Sequence, residues 1–134
     1  MQDLATDITT LMDRYVAAWN EADPERRRAV VTRLYADDGR IVTPSVEVNG
    51  RPAIVEHIGE VFAEFVGASG HRFRRASTTG HHQSLLIRWE LTGGGQQVAG
   101  AGLNVLILST DGRIGADYQF SEPQPAGETR AGGR

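Results

Sequence analysis

The chain has 134 residues, of which 40% are hydrophobic and 23% charged, and its net charge is −3. This length predicts a single domain with a real core, and the charge balance provides no basic surface for nucleic acid. The absence of cysteine from the sequence excludes disulfides, thiolate zinc sites and a cysteine nucleophile.

The first helix is predicted from apolar residues at three- and four-residue steps between Leu4 and Trp19. A second helix is predicted to begin at Asp23-Pro24-Glu25, which combines an N-cap, a first-turn proline and an acid that suits the helix dipole. Arg26-Arg27-Arg28 is interpreted as its solvated face. Asp38-Gly39 is expected to end it, and a short strand follows from Arg40 to Thr43.

A third helix is expected to start at Pro52, after the turn signal Asn49-Gly50. Its apolar stripe also includes His57, three residues after Ile54 and four before Val61. The full predicted stripe is Ile54, Ile58, Val61, Phe62 and Phe65.

From His71 onward the period changes to two, which predicts strands near residues 71–79, 82–91, 96–108 and 113–120. Gly93-Gly94-Gly95 and Asp111-Gly112 predict the hairpin turns between the last three. Helices first and strands last predict an α+β fold, with the helices on one face of a curved antiparallel sheet. We expect the domain to span residues 1–121 and a disordered tail to occupy residues 122–134, which are rich in Pro, Gly and charge.

The start of the sequence has no basic segment followed by an apolar core, so no signal peptide is predicted. No apolar run approaches the roughly 18 residues needed to cross a bilayer. We therefore expect a soluble, cytoplasmic protein with no membrane partner.

Five short stretches of the chain, in their order and spacing, resemble the NTF2-like superfamily, and specifically ketosteroid isomerase and the SnoaL-like polyketide cyclases. The resemblance implies an NTF2-like α+β cone, in which three N-terminal helices and a curved antiparallel sheet enclose a pocket, and it also implies a homodimer. It rests on Arg14-Tyr15-Val16-Ala17-Ala18, Tyr35-Ala36-Asp37-Asp38, Asn49-Gly50-Arg51-Pro52-Ala53-Ile54, Trp89-Glu90-Leu91, and Gly102-Leu103-Asn104 with Asp111-Gly112-Arg113-Ile114.

The resemblance also implies part of a catalytic site. Tyr15 matches the tyrosine with which the isomerases donate a hydrogen bond to a developing oxyanion. Thr43, before Pro44, stands where those enzymes have their general-base aspartate, and threonine cannot act as that base. Asn104 matches a second, protonated aspartate, and an asparagine amide can donate without any pKa shift. The simpler alternatives are that Tyr15 is a core tyrosine and Asn104 satisfies a buried polar neighbour.

Two titratable residues are candidate bases, because both match positions where the isomerases have apolar pocket-lining residues. His57 lies on the third predicted helix, although a lone histidine on an apolar face is more often a packed core residue. Asp117 lies on the last predicted strand, where alternation puts it on the same face as Gln119. Gln119 is the best match to the catalytic aspartate of the SnoaL-like cyclases.

Other pocket residues are expected from the same register. Leu85, Ile87 and Trp89 share one strand face, which would form an apolar wall, although plain core packing explains them equally well. The full set predicted to bind the substrate is Trp19, Thr43, Phe62, Leu85, Ile87, Trp89 and Gln119.

Neither a metal nor a cofactor is predicted. His81 and His82 are adjacent, so in a strand their side chains would point to opposite faces and would not chelate an ion together. His57 and His71 have no histidine partner at helical spacing. The sequence also contains no HExxH, Walker-type, GxGxxG or GxSxG motif.

The sequence therefore predicts a SnoaL-like or ketosteroid isomerase-like enzyme that needs no cofactor and carries out isomerisation, cyclisation or dehydration on a small hydrophobic carbonyl compound. His57 or Asp117 would be the base, and Tyr15 and Asn104 the oxyanion donors. The alternative is a non-catalytic small-molecule-binding or dimerisation module that has lost its acids, as Thr43 and Asn104 suggest.

Overall fold

The computed structural model describes residues 4–122, with side chains from residue 8 onward. Three helices lie against one face of a six-stranded sheet, which confirms the predicted α+β architecture. The helices are α1 (Leu4–Asn20), α2 (Pro24–Leu34) and α3 (Arg51–Val61), and α3 continues as a π-helical turn over Phe62–Gly67.

The sheet has the strand order β2-β1-β6-β5-β4-β3. Its neighbours pair antiparallel except for β1 and β6, which run parallel, so the sheet is mixed where an antiparallel one was predicted. The hairpins follow the sequence pattern, but β1 and β6 are far apart in the chain and pair without a hairpin. The strands are β1 (Tyr35–Val42), β2 (Glu47–Asn49), β3 (Arg72–His81), β4 (Ser84–Thr92), β5 (Val98–Leu108) and β6 (Ile114–Ser121).

The boundary between α2 and β1 differs from the prediction. Asp38-Gly39 was expected to end the helix, but α2 ends at Leu34 and Tyr35 is already the first residue of β1. The register between β1 and β6 shifts between Tyr35 and Arg40, and this irregularity hides the strand period in the sequence. Tyr35 is consequently held in the sheet and fully buried.

Arg27 corrects the interpretation of Arg26-Arg27-Arg28 as a solvated face. Arg26 and Arg28 are exposed, but Arg27 is only 7% exposed. Its Nε and Nη2 donate to the carbonyl oxygen of Glu21 at 3.1 and 2.8 Å, and its guanidinium lies 5.0 Å from the centroid of the Phe62 ring. Arg27 thereby ties the end of α1 to the end of α3.

The main core lies between the helices and the inner face of the sheet. Asp117 is buried among these apolar residues, and its strand neighbours Ile41 on β1 and Leu106 on β5 are both fully buried. The buried cluster consists of Met12, Tyr15, Ala18, Trp19, Val31, Leu34, Tyr35, Ile41, Ile54, Ile58, Leu85, Ile87, Leu106 and Ile114.

The predicted disordered tail lies outside the described residues except for its first residue. The backbone N–H of Glu122 donates to the carbonyl of Ala101 at 2.9 Å, and its carboxylate forms an ion pair with Arg88 at 2.8 Å. Across residues 4–122, none of the helices combines the length and the apolar character that crossing a bilayer requires.

Candidate active site

A cavity of about 400 Å³ lies between α1, the end of α3 and the sheet. Most of its wall is apolar, and a few polar side chains converge on it, which is the usual composition of a small-molecule site. The residues that line it are Tyr15, Val16, Trp19, Thr43, His57, Val61, Phe65, Phe73, Trp89, Leu91, Ala99, Gly100, Ala101, Asn104, Gln119, Ser121 and Glu122.

The helical wall of the cavity comes from α1 and α3. His57, Val61 and Phe65 follow one another at four-residue spacing and face the cavity, whereas Ile54 and Ile58 face the core. The imidazole of His57 lies edge-on to the Trp19 indole, with ring centroids 6.2 Å apart. Partial burial lowers the pKa of His57 below its usual 6.5, although Glu60 opposes the shift. The neutral, proton-accepting form is therefore favoured near neutral pH.

The sheet wall holds the polar side chains. Trp89 on β4, Asn104 on β5 and Gln119 on β6 all border the cavity, and Asn104 and Gln119 are directly paired across the two strands. The Phe73 ring on β3 stands almost perpendicular to Trp89, at 5.5 Å between centroids. Three neighbouring strands thus place an indole N–H and two amides side by side.

A chain of hydrogen bonds runs through this wall to Asp117. Trp89 Nε1 donates to Asn104 Oδ1 at 3.1 Å, and Asn104 Nδ2 donates to the Tyr15 hydroxyl at 2.6 Å. The Tyr15 hydroxyl donates to Asp117 Oδ2 at 2.8 Å. The same oxygen accepts from the Tyr35 hydroxyl at 2.6 Å and from Gln119 Nε2 at 3.2 Å.

The direction of this chain follows from its two ends. An indole nitrogen can only donate and an ionised carboxylate can only accept. The Asn104 amide must therefore turn its oxygen to Trp89 and its nitrogen to Tyr15, and the single hydroxyl proton of Tyr15 must go to Asp117. Tyr15 was predicted as an oxyanion donor, but its proton is already engaged while Asp117 is ionised.

Asp117 occupies an unusual position for a carboxylate. It is fully buried, and its Oδ1 has no hydrogen-bond partner within residues 4–122. Burial raises its pKa from the usual 3.8 to about 6, while the hydrogen bonds from Tyr35, Tyr15 and Gln119 oppose the rise. Burial and the adjacent Asp117 charge raise the pKa of both tyrosines well above 10. Perturbed groups of this kind beside a cavity are typical of functional sites.

Tyr35 is the member of the hydrogen-bonded cluster around Asp117 that the sequence analysis missed, because it was assigned to the end of a helix. The only sequence signal for it was that a buried phenol needs a hydrogen-bond partner. Glu122, placed in the predicted tail, also borders the cavity.

Four predicted site residues lie outside the cavity wall. Asp117 and Gln119 do point to the same side of β6, but Tyr15 and Gln119 separate Asp117 from the cavity. Leu85 and Ile87 share the face of β4 that carries Trp89, but they lie further along the strand, in the main core. Phe62 packs against Arg27, and Val61 and Phe65 face the cavity instead.

Thr43 borders the cavity, but its side chain already has a structural role. Its Oγ1 accepts hydrogen bonds from the backbone N–H groups of Ser45 at 3.2 Å and Val46 at 3.0 Å. This hydroxyl holds the turn after β1, at the rim of the site.

The histidine pair His81-His82 also differs from the prediction. His82 has a left-handed backbone, with φ of 55°, in the turn between β3 and β4, so the two rings meet with their Nδ1 atoms 3.1 Å apart. Both side chains are exposed. Within residues 4–122, no group of three or more potential ligands is placed to hold a metal ion.

Gly102 allows the Trp89 indole to lie across the sheet. A Cβ at this position would overlap the indole ring and come within 2.5 Å of the carbonyl oxygen of Phe120.

We expect Gly102→Ala to lower the free energy of unfolding by about 1–3 kcal/mol and to weaken ligand binding, because Trp89 must move. Urea unfolding followed by tryptophan fluorescence measures this. Gly94→Ala is the matched control, since nothing lies within 4 Å of its added methyl, and an equal loss in both variants would contradict the packing argument.

The comparisons with known proteins agree with this architecture. Residues 12–116 match the SnoaL-like domain family. No curated protein sequence matches the chain. A solved structure of a SnoaL-like protein from Agrobacterium tumefaciens, described as a candidate isomerase, is 32% identical. It aligns with 88% of this chain and 99% of that chain, with a TM-score of 0.80.

More distant solved structures share the fold alone. A SnoaL-like candidate polyketide cyclase from Jannaschia sp. CCS1 is 15% identical over 91% of this chain and 92% of that chain, with a TM-score of 0.68. An NTF2-like protein of unknown function from Mesorhizobium loti is 20% identical over 92% and 97% of the two chains, with a TM-score of 0.67. The family match covers most of the chain, and the fold and cavity agree with it, so the protein belongs to the SnoaL-like domain family.

Proposed function

We propose that the protein is an enzyme that moves a proton on a small hydrophobic carbonyl compound bound in the cavity. The observation that carries this proposal is the arrangement of His57 on the helical wall and Asn104 on the sheet wall of one mainly apolar cavity. Neither ring nitrogen of His57 has a hydrogen-bond partner within residues 4–122. The imidazole is therefore available as a general base.

In the proposed reaction, His57 removes a proton from the carbon next to the carbonyl group. The electrons of the broken C–H bond form a carbon–carbon double bond, and the carbonyl oxygen becomes an enolate oxygen. Asn104 Nδ2 carries two hydrogens, of which one is bonded to Tyr15. The second is available to the developing oxyanion. Return of the proton to a different carbon completes an isomerisation, and attack of the enolate carbon on a second carbonyl completes a cyclisation.

The similarity to known proteins supports isomerisation more than cyclisation as the reaction of this protein. The 32% identical Agrobacterium protein is described as a candidate isomerase. The cyclase descriptions belong to structures that are 15% identical. Because one fold carries many activities, the assignment to this chain rests on the cavity residues.

The test is deuterium exchange at carbon. Polycyclic ketones and enones are first screened for thermal stabilisation of the protein. Each compound that binds is then incubated with catalytic amounts of protein in D₂O, and loss of the proton signals next to the carbonyl group is followed by NMR. Exchange above the buffer rate is expected, since proton removal at carbon is the step shared by all the proposed reactions.

The competing function is a binding module without catalysis. The observation that favours it is that Glu122 is the single carboxylate on the cavity wall within residues 4–122, and Arg88 holds both of its oxygens, at 2.8 and 2.9 Å. A compound that stabilises the protein but exchanges no faster than in buffer would support this alternative and contradict the enzyme proposal.

A further inference from the structure

We propose that Tyr15 and Asp117 form a proton relay, through which a phenol or enol bound in the cavity transfers its hydroxyl proton to the buried carboxylate. The inference deepens the proposed function, because it uses the same cavity and names hydroxylated ligands, the enol form of a carbonyl compound included. Asp117 touches no ligand and acts as a positioning residue through Tyr15.

One of the contacts of the Tyr15 oxygen is weak enough for a ligand hydroxyl to replace it. The oxygen donates to Asp117 at 2.8 Å and accepts a short bond from Asn104 at 2.6 Å. Its remaining contact, from Gln119 Nε2, is 3.4 Å long, and the same nitrogen makes a better bond of 3.2 Å to Asp117. A ligand hydroxyl can therefore replace the Gln119 contact at Tyr15 without leaving Gln119 unpaired.

The proton transfer is balanced within the site. The ligand O–H bond breaks as its proton forms a new O–H bond on Tyr15. The original Tyr15 O–H bond breaks as that proton forms an O–H bond on Asp117 Oδ2. The ligand becomes an oxyanion that accepts hydrogen bonds from Tyr15 and Asn104, and Asp117 becomes neutral. Neither an oxidant nor a co-reactant is needed, and Tyr15 ends in the same protonation state.

The surroundings of Asp117 favour its uptake of a proton. The titratable groups that face it are Tyr15 from α1 and Tyr35 from β1, and both are neutral donors. Its strand neighbours on β1 and β5 are the apolar Ile41 and Leu106. Within residues 4–122, no cation contributes to its titration. Burial already raises the pKa of Asp117 to about 6. This value is still below the pKa of the phenols, so the transfer also requires the hydrogen bonds that Tyr15 and Asn104 donate to the ligand oxyanion.

For an enol, which has a hydroxyl proton to give where a ketone has none, the relay also removes a conflict in the proposed reaction. An ionised Asp117 engages the Tyr15 proton and places a negative charge near the enolate oxygen, which opposes enolate formation. Once Asp117 is protonated, its single proton can be donated to one of the tyrosines, and the Tyr15 proton is free to turn to the ligand. Tyr15 therefore becomes an oxyanion donor only when Asp117 carries a proton.

The experiment uses 4-nitrophenol and less acidic substituted phenols, since nitrophenol absorbs differently as phenol and as phenolate. The fraction of bound nitrophenol that is ionised is measured against pH by absorbance. For the wild-type protein, the ratio of phenolate to phenol should be about tenfold or more higher for the bound compound than for the free compound at the same pH. This corresponds to a decrease of about one unit or more in the pKa of the bound compound. Failure of the whole phenol series to bind overturns the proposal.

Three variants identify the proton acceptor. Asp117→Asn keeps the shape but cannot accept the proton, and Tyr15→Phe removes the relaying oxygen. In wild type the proton of the ligand stays on Asp117, so a phenol that is uncharged at the working pH should bind as phenolate without releasing a proton to the solvent. In each variant any phenolate that forms must release its proton to the solvent, which calorimetry in buffers of different ionisation enthalpy measures. Tyr35→Phe is the comparison variant: it removes a hydrogen-bond donor from the other side of the same Asp117 oxygen and should increase ionisation of the ligand, because the carboxylate becomes more basic. Phenolate formation in wild type that releases a proton to the solvent, or ionisation that is lost only in His57→Gln, overturns the relay.

A second readout covers variants that fold poorly. In the wild-type protein at about pH 8, above the pKa of Asp117, the infrared difference spectrum between free and phenol-bound protein should contain the C=O band of a protonated carboxyl group. Isotopic labelling of aspartate should shift this band, and its absence overturns the relay. Because neither readout needs turnover, a positive result with no deuterium exchange at carbon would contradict the proposed enzyme and leave the relay standing.

Discussion

Replacement of His57 by Gln is expected to lower the rate of deuterium exchange at the carbon next to a bound carbonyl group by about 10²- to 10⁴-fold, the usual contribution of a general base. Glutamine fills much of the same space and can still form hydrogen bonds, so ligand affinity should change far less than the rate. The measurement compares NMR exchange rates at saturating ligand with dissociation constants obtained for the same ligand.

The pH profile of the wild-type rate tests the same assignment. Because burial lowers the pKa of His57 below 6.5, the exchange rate should rise with pH through that lower pKa. It should fall again as Asp117 ionises with its pKa of about 6, because the ionised carboxylate engages the Tyr15 proton. His81→Gln is the matched control, since His81 is exposed and outside the cavity. An exchange rate that His57→Gln leaves unchanged would remove His57 from the mechanism.

Asp117→Asn is expected to change how the stability of the protein depends on pH. In the wild-type protein, the folded-state pKa of about 6 lies above the ordinary 3.8, so folding favours the protonated carboxyl group. That stability is fully present below about pH 4 and is lost as the pH rises through about 6. The difference between the two pKa values corresponds to about 3 kcal/mol in the free energy of unfolding.

Urea unfolding of wild type and variant at a series of pH values measures this effect. Relative to wild type, Asp117→Asn should gain about 3 kcal/mol between about pH 4 and pH 8, because it cannot ionise. Asp111→Asn is a control with the opposite pH dependence. Hydrogen bonds from Ser109 and Arg113 lower the pKa of Asp111 to about 2, so ionised Asp111 stabilises the wild-type protein. That stability is lost as the pH falls toward about 2. Parallel curves for wild type and Asp117→Asn would show that Asp117 keeps an ordinary pKa.

The sequence predicts most of the fold, because local patterns determine most of it. The strands β3 to β6 start and end within two residues of their predicted limits, since their alternation and their glycine turns are local signals. The parallel pairing of β1 with β6 is a long-range contact that leaves no periodic trace. The start of β1 at Tyr35 was hidden for a related reason, because its register is irregular.

The site was predicted less completely than the fold. Strand alternation correctly put Asp117 and Gln119 on one side, but alternation gives only the face of a residue and not its depth. Asp117 proves to be behind Tyr15, and Leu85 and Ile87 lie too far along β4 to reach the cavity. Hydrogen-bond direction also cannot be predicted from the sequence, since it depends on Trp89 and Asp117 at the two ends of a chain formed by α1, β4, β5 and β6.

The place of β6 in the strand order has a consequence for folding kinetics. The strand β6, residues 114–121, lies between β1 and β5. Because β6 is near the end of the described chain, β1 can pair with it only after most of the protein has been synthesised. The bonds from Tyr35 and Tyr15 to Asp117 close loops of 82 and 102 residues. Closure of such long loops is slow, so helices and the β3–β5 meander should form early. The ligand cavity is then the last part of the protein to assemble, and any intermediate that precedes β6 docking should lack ligand affinity.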